Sequence, residues 1–316
     1  MTQKRTQLIW LILVAALLPA SLSAKNIYKF QDENGIWHFT DQAPDEDIEF
    51  STVYMEREPE PRIRLRQEGK KESPLYVLFN DFWGPVEVEL TFQEGVNVLS
   101  EPALPARFVI PAQTEQTLVG IGALDQRRGF SYRLGMASVP GRPMSKPVDD
   151  LVLLPPFPAG EQYPVSQGFL GTKTHETIDS HFAIDIAMPV GTAIHAARAG
   201  TVMDVEEDFN QGGADFKKYA HKANHVRILH KDGTMAVYAH LDLASVNVRP
   251  GAKIRAGQKI ARSGNTGFSS GPHLHFAIQQ NSGMQMISLP FRFQTPEGAA
   301  LIPEAQRLIT GVSASH

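Results

Sequence analysis

Residues 225–240 read HVRILHKDGTMAVYAH, and their pattern sets the expectation for the C-terminal part of the chain. Apolar and polar residues alternate over most of HVRIL, and MAVYAH begins with a continuous apolar run. Asp232-Gly233 between them favours a tight turn, because glycine accepts a positive φ. The stretch therefore predicts a β-hairpin. Short runs punctuated by glycine continue over residues 165–290 with no helical period, so we expect an antiparallel β-sheet there.

The segment upstream also has the pattern of short strands. Apolar runs separated by turn residues lie at residues 75–79, 86–92, 107–110, 116–121 and 131–136. Regular short strands favour a small β-sandwich, which we place at residues 75–148 as a spacer domain. Residues 61–74 carry many charges and few apolar side chains and are assigned to a charged linker. Residues 297–316 are assigned to a C-terminal tail.

Residues 1–24 have the layout of a secretory signal peptide. Lys4 and Arg5 precede an apolar run at residues 8–20. This run is shorter than the ~20 residues that span a bilayer, so we expect cleavage near Ala24 and no stable membrane insertion afterwards. An uncleaved anchor is the alternative. Either outcome places the rest of the chain in the periplasm or outside the cell.

Residues 25–60 are predicted to form a small β unit. Alternating residues 27–30 and 36–40 flank turn residues at 32–35, which indicates a hairpin. This segment resembles a short domain that follows the signal peptide in many proteobacterial secreted proteins and has no established function.

The composition excludes several kinds of site. The chain has no cysteine, which removes disulfides, thiolate nucleophiles and cysteine-ligated zinc. Its formal net charge is −4, and its lysines and arginines are scattered, so there is no basic surface for nucleic acid. A bound metal must therefore be held by histidine and carboxylate side chains.

Three segments carry such side chains. His181 and Asp185 would lie ~13 Å apart in a straight strand, so sharing a metal requires a bend at His181. His273 and His275 would share one face of a strand ~7 Å apart, so that one could bind a metal while the other faces bound water. His240 ends the predicted hairpin, a usual place for a functional side chain.

In this order the three segments resemble the lysostaphin-like (LytM-type) zinc endopeptidases of bacterial cell walls. The Gly-rich segment 264–267 and the segment 271–276 match the family as well, and the resemblance covers roughly residues 165–290. It implies a zinc peptidase domain, which we place at residues 149–296. Ala183 departs from the family, which usually has glycine there. The residues that the resemblance implies are the zinc ligands His181, Asp185 and His275 and the unligated catalytic histidines His240 and His273.

The expected protein is thus mostly β, with an antiparallel peptidase domain behind a β-sandwich-like domain and a hairpin unit. Its expected activity is zinc-assisted hydrolysis of peptide crosslinks in the peptide stems of peptidoglycan, at the bond between D-alanine and diaminopimelate. Two alternatives stay open. One is a non-catalytic activator of cell-wall amidases, and the other is a peptidase that acts on glycine-rich proteins.

The remaining histidines are assigned structural or solvent-exposed positions. Residues 208–223 are predicted to form a surface loop at one wall of the substrate groove. His38 and His175 have no evident partner set. The positions assigned to packing or solvent are His195, His221, His225 and His230.

Overall fold

In a computed structural model, the protein is described over residues 26–31, 37–40, 49–54 and 61–314. The chain divides into two compact units, Met1–Glu56 and Arg57–His316. Within the described residues, no helix has the length and apolar character that crossing a membrane requires. The predicted signal peptide lies outside the described residues.

The first unit contains a three-stranded antiparallel sheet. Its strands are β1 (Asn26–Gln31), β2 (Trp37–Thr40) and β3 (Phe50–Tyr54), in the order β2-β1-β3. Tyr28 lies opposite Thr40 in the β1–β2 pair, which confirms the predicted hairpin. The turn predicted at residues 32–35 lies outside the described residues.

The second unit begins with two small sheets that form a β-sandwich around an apolar core. Leu78, Val88 and Ile110 are fully buried in this core, and the predicted β-sandwich is confirmed. One sheet has the order β4-β5-β9-β7 and the other β10-β6-β8. The strands are β4 (Ile63–Lys70), β5 (Ser73–Asn80), β6 (Val86–Val96), β7 (Val98–Glu101), β8 (Ala106–Ile110), β9 (Thr114–Ala123) and β10 (Ser131–Pro140).

Strand β4 corrects the linker predicted at residues 61–74. It pairs antiparallel with β5 over its whole length. Ile63 and Leu65 pack against the sandwich core, while Arg66 on the open side forms ion pairs with Glu68 and Glu115. An edge strand with one solvated face tolerates many charges, and this is why its composition resembles that of a linker.

Polar contacts join the sandwich to the C-terminal domain. Glu87 is 4% exposed, and its Oε2 accepts hydrogen bonds from Asn281 Nδ2 at 2.9 Å and from the backbone N–H of Met284 at 2.6 Å. Arg62 forms an ion pair with Asp204 at 2.9 Å. Because buried polar groups lose their bonds to water, these pairings hold the two domains in a defined arrangement.

The C-terminal domain is built on a nine-stranded antiparallel sheet. Its order is β19-β15-β17-β18-β22-β13-β12-β26, with β23 also paired to β22. Among the described residues of this domain, the one α-helix is α1 (Phe216–Tyr219). The strands are β11 (Leu151–Leu153), β12 (Gln162–Gln167), β13 (Ile184–Ala187), β14 (Ala193–His195), β15 (Gly200–Glu206), β16 (Gly212–Gly213), β17 (His225–Leu229), β18 (Met235–Ala239), β19 (Lys253–Ile254), β20 (Lys259–Arg262), β21 (Gly267–Phe268), β22 (His273–Asn281), β23 (Met286–Leu289), β24 (Phe291–Gln294), β25 (Ala300–Leu301) and β26 (Leu308–Thr310).

The predicted hairpin over residues 225–240 is confirmed as strands β17 and β18. His225 lies opposite Ala239 and Leu229 opposite Met235, and Gly233 in the turn has a φ of 87°. Alternate residues of these strands point to opposite faces of the sheet. The inner face is fully buried and supplies most of the core, with Val226, Ile228, Tyr238, Leu274, Phe276 and Ile278 among its residues.

The predicted C-terminal tail also contains regular structure. Strand β26 pairs antiparallel with β12 and ends the large sheet, with Tyr163 opposite Ile309. Ile309 is fully buried. A strand of three residues is too short to show a strand period, so the sequence pattern does not predict this pairing.

Substitution Glu87→Ala tests the contact between the two domains. It leaves two buried N–H donors without an acceptor, so we expect the free energy of unfolding to fall by about 1–3 kcal/mol. Urea denaturation of the purified chain measures the change. The control is Glu94→Ala, which removes an exposed ion pair with Arg133 and is expected to cost less than about 1 kcal/mol. Equal losses in the two variants would contradict the assigned role of Glu87.

Candidate metal centre

Cross-strand pairing brings the polar residues of the sheet's outer face into one row. Asp185 on β13 lies opposite His275 on β22, and His275 lies opposite Ala239 on β18. Ala239 in turn lies opposite His225 on β17. Directly opposed residues share a face with Cβ atoms about 4.5–5.5 Å apart. The backbone register alone therefore places the side chains of Asp185 and His275 in contact.

Asp185, His275 and His175 form a compact group of potential metal ligands. Asp185 Oδ1 lies 3.0 Å from His275 Nδ1 and 3.3 Å from His175 Nε2. One ligand atom from each residue lies within 4.8 Å of the others. Two imidazole nitrogens and a carboxylate oxygen suit a divalent metal such as zinc, which takes three protein ligands and leaves a position for water.

Burial and hydrogen bonding act against each other on the Asp185 carboxyl. Burial disfavours the charged form, but hydrogen bonds from His175 and His275 outweigh this effect and hold the pKa of Asp185 below its ordinary range. Asp185 is therefore ionised at neutral pH. An ionised carboxylate is the form that binds a metal.

The structure brings His175, and not His181, into this group. His175 is 1% exposed, and its ring lies 5.3 Å from that of His275. His181 is outside the group, and its Nε2 lies 2.9 Å from the carbonyl oxygen of Glu176. His181 therefore lies outside the group in this structure, and its expected role as a ligand stays a prediction. The interpretation that His175 has no partners is corrected, because His175 contacts both Asp185 and His275.

The cause lies in the path of the chain before β13. The predicted bend at His181 is present, because its backbone N–H bonds to the carbonyl of Thr177 in a turn. The ring of Phe182 then packs edge-to-face on Phe169 at 5.6 Å, and Ala183 is fully buried. These contacts fix the residues that follow His181. The loop that precedes His181 places His175 beside Asp185.

His240 and His273 stand beside the group as a pair. Their rings lie 4.6 Å apart, and His273 Nε2 lies 3.6 Å from Asp185 Oδ1. His240 Nδ1 lies 2.7 Å from the carbonyl oxygen of Thr266, and His273 Nδ1 lies 2.8 Å from that of Gly271. A carbonyl accepts a hydrogen bond, so each Nδ1 carries a proton that it donates to the backbone.

Burial, together with the neighbouring His273 and His275, lowers the pKa of His240 to about 3. The ring of His240 is therefore neutral at physiological pH. Its backbone has a φ of 60° at the end of β18, a conformation that is uncommon for residues other than glycine and is often found at functional sites.

Gln167 positions the carboxylate of Asp185 from the other side. It lies opposite Asp185 in the β12–β13 pair and is 8% exposed. Its Nε2 donates to Asp185 Oδ2 at 3.2 Å and to Thr174 Oγ1 at 2.7 Å. Because Oδ2 is engaged by Gln167, Oδ1 is the oxygen that faces the histidines. Sequence analysis missed this residue, since a lone glutamine carries no motif.

A groove of about 680 Å³ opens over the row of polar residues. The predicted loop at residues 208–223 forms one wall through Ala214, Phe216 and Ala220. Phe216 packs edge-to-face on Phe268 across this wall at 5.3 Å.

Two of the histidines that were predicted to have structural or exposed positions lie elsewhere in the structure. His225 lines the groove, and His230 is 3% exposed.

Two family models match the chain. Residues 179–286 match peptidase family M23, and residues 14–68 match a domain of unknown function, DUF4124. The chain thus carries a family M23 peptidase domain behind a DUF4124 domain, and both predicted resemblances are confirmed. The M23 match begins after residue 175. The family pattern therefore gives no signal for His175, which only the folded loop brings to the site.

Individual relatives match the same region of the chain. The peptidoglycan DD-endopeptidase ShyA of Vibrio cholerae is 30% identical over 125 residues, 39% of this chain and 26% of its own. An uncharacterized metalloprotease of Buchnera aphidicola is 30% identical over 39% of this chain and 30% of its own. The glycyl-glycine endopeptidase ALE-1 of Staphylococcus capitis is 33% identical over 33% of this chain and 25% of its own. The chain spans less than a third of each relative.

Comparing His175→Ala with His181→Ala tests which histidine binds metal. Loss of a group that only supports a ligand costs about 10–100-fold in affinity, so loss of His175 itself is expected to cost at least ~100-fold. His181→Ala is the matched control and is expected to change affinity less than about 3-fold, because its ring lies outside the group. Competition with a chromophoric zinc chelator measures both. The reverse ranking would restore His181 as the ligand.

Gln167→Ala tests the positioning of Asp185. Without the amide the carboxylate is free to rotate, and we expect zinc affinity to fall about 10–100-fold. The control is Gln162→Ala on the same strand, whose side chain bonds to Thr310 in an exposed position. The same chelator competition reports both, with thermal melting to verify folding. Unchanged affinity in Gln167→Ala would show that the other contacts of Asp185 suffice to orient it.

Proposed function

We propose that this protein is an exported zinc endopeptidase that hydrolyses peptide crosslinks of bacterial peptidoglycan. The observation that carries the proposal is the group His175, Asp185 and His275 beside the pair His240 and His273. All of these residues except the buried His175 line an open groove. The family M23 domain supports peptidase chemistry. The signal-peptide pattern of residues 1–24 supports export.

The three residues of the group are the proposed zinc ligands. Zinc held there supplies Lewis-acid polarisation of a carbonyl and lowers the pKa of water to near ~7. Asp185 contributes the negative charge of the site, and Gln167 holds its second oxygen. Because Asp185 and His275 lie in a partly buried row of the sheet and His175 is buried beside them, their electrostatic interactions are stronger than they would be in bulk water.

His240 and His273 are the proposed catalytic pair. Each ring has its Nδ1 proton fixed on a backbone carbonyl, which leaves Nε2 able to take a proton. This arrangement suits removal of a proton from the attacking water and its delivery to the leaving amine. A protonated ring also stabilises the oxyanion of the tetrahedral intermediate.

The groove suits an extended peptide. It is open to solvent along the outer face of the sheet and is lined by small side chains such as Ala187, Ala223 and Ala239. A peptide in extended conformation presents its scissile carbonyl without side-chain clashes in such a groove. The DD-endopeptidase activity in the name of the Vibrio cholerae relative leads us to propose the bond between D-alanine and diaminopimelate.

The test is zinc content together with digestion of purified sacculi, with His275→Ala beside the unmodified protein. We expect about one zinc per chain and release of crosslink-cleaved fragments, identified by mass, because the complete ligand set supports the hydrolytic chemistry. His275→Ala is expected to lose both zinc and activity. Glycine-rich peptides are assayed in parallel for the alternative peptidase activity.

Each of the other possible results of this experiment indicates a different function for the chain. Zinc without hydrolysis, together with stimulation of a purified wall amidase, would identify the chain as an amidase activator. Cleavage of glycine-rich peptides but not of sacculi would place the substrate among proteins. Absence of zinc in the unmodified protein would contradict the proposed metal site.

A further inference from the structure

Arg227 lies in the groove on the row next to the metal ligands. It lies on β17 opposite Val237 of β18, and Val237 lies opposite Ala277 of β22. This row is two residues along β22 from the row of His275. In a strand that offset is about 7 Å, and β17 lies two strands, or about 10 Å, to the side of β22. The side chain of Arg227 is therefore on the same face as the ligands, with its backbone about 12 Å from that of His275.

The guanidinium of Arg227 is held in place by one neutral partner. Its Nη1 donates to Gln279 Oε1 at 2.8 Å. Gln279 is 9% exposed, and its Nε2 donates to the carbonyl oxygen of Asp179 at 2.9 Å, which fixes the amide with its oxygen towards Arg227. A guanidinium has five N–H donors, so most of them remain available on the side that lines the groove.

This cation has no carboxylate in contact with it among the described residues. Burial lowers the pKa of Arg227, and Asp204 and Asp179 raise it from a distance. Asp204 is itself engaged with Arg62 at 2.9 Å and with His225 at 3.2 Å. A partly desolvated guanidinium without a paired anion is costly unless a ligand supplies the anion.

The groove around Arg227 has room for such a ligand and little competing charge. The residues beside it include Val237, Ala239 and Ala223, which are small and apolar. Among the described residues that line the groove, Asp185 is the one carboxylate, and it is engaged by the histidines. A planar guanidinium matches a carboxylate through two parallel hydrogen bonds.

We propose that Arg227 binds a free carboxylate of the peptide substrate and thereby selects anionic peptides. The proposal rests on the proposed peptidase function and makes Arg227 a specificity-determining residue. The separation of about 12 Å from His275 corresponds to three or four residues of extended chain at about 3.4 Å each, so the carboxylate belongs to a residue within about four positions of the scissile bond. It comes either from a free C-terminus or from a side chain.

Three peptides of equal length test the proposal with the zinc-loaded protein. One has a free C-terminal carboxylate, one has a free side-chain carboxylate, and one has both groups amidated. We expect kcat/KM for one acidic peptide to exceed that of the amidated peptide by about 10–100-fold, the usual effect of a charged hydrogen-bonded pair. The acidic peptide that shows the preference identifies the source of the carboxylate.

Arg227→Gln is expected to remove this preference and to leave cleavage of the amidated peptide within about 3-fold, because the metal ligands are unchanged. Arg227→Lys keeps the charge without the fork and is expected to retain part of the preference. Arg249→Gln, an exposed arginine that does not line the groove, is the control and is expected to behave like the unmodified protein. Zinc content and thermal melting of each variant verify that the fold is intact.

Equal cleavage of the three peptides by the unmodified protein would overturn the proposal, as would equal slowing of all three in Arg227→Gln. Calorimetric binding of the acidic and amidated peptides provides a second readout that needs no hydrolysis. If no peptide is cleaved, the proposed function fails, and equal affinities in that experiment would overturn the carboxylate site separately.

Discussion

The pairing of β13 with β22 is the constraint on which the rest of the site depends. It places Asp185 directly opposite His275, and the same strand β22 carries His273 and pairs with the hairpin strand that leads into His240. Three strands that are buried on one face thus present their polar residues on the other. The apolar inner face, with Leu274 and Phe276 fully buried, keeps this register, because a slip by one residue would turn the histidines into the core.

Different parts of the fold supply different degrees of rigidity to the groove. Asp185 and His275 are fixed by strand pairing, whereas His175 depends on the loop before β13 and on its contacts with Asp185 and His275. The opposite wall is anchored at its end by Asn224, which is fully buried and bonds to both the N–H and the carbonyl of Phe209. The site thus combines rigid strands with two loops that are each fixed by specific polar contacts.

Much of this arrangement could be predicted from the sequence because it lies on strands. The hairpin pattern of residues 225–240 and the spacing of His273 and His275 predict which side chains share a face. His175 could not be found in the same way, since its position depends on a loop path set by the packing of Phe182 on Phe169. The substitution of glycine by Ala183 was the available sign that this segment departs from the family.

The same limit explains the differences in the fold. Strand β4 and strand β26 lie at sheet edges, where one side is solvated and composition indicates strand only weakly. The partner of β26, strand β12, is distant in the chain and largely polar, so no local pattern indicates that register. Arg227 is a similar case. A single arginine in an alternating strand indicates no function by itself, and its role can be inferred only from the residues that the sheet places beside it.

The spacing of the three proposed ligands along the chain has a consequence for folding. His175 precedes Asp185 by 10 residues, and His275 follows it by 90. A metal held by all three is a crosslink that closes one short and one long loop of the polypeptide. Such a crosslink stabilises the fold by restricting the unfolded chain, as a disulfide does. A chain without cysteine cannot form a disulfide for the same purpose. Metal capture and resistance to unfolding are then a single thermodynamic property of this domain.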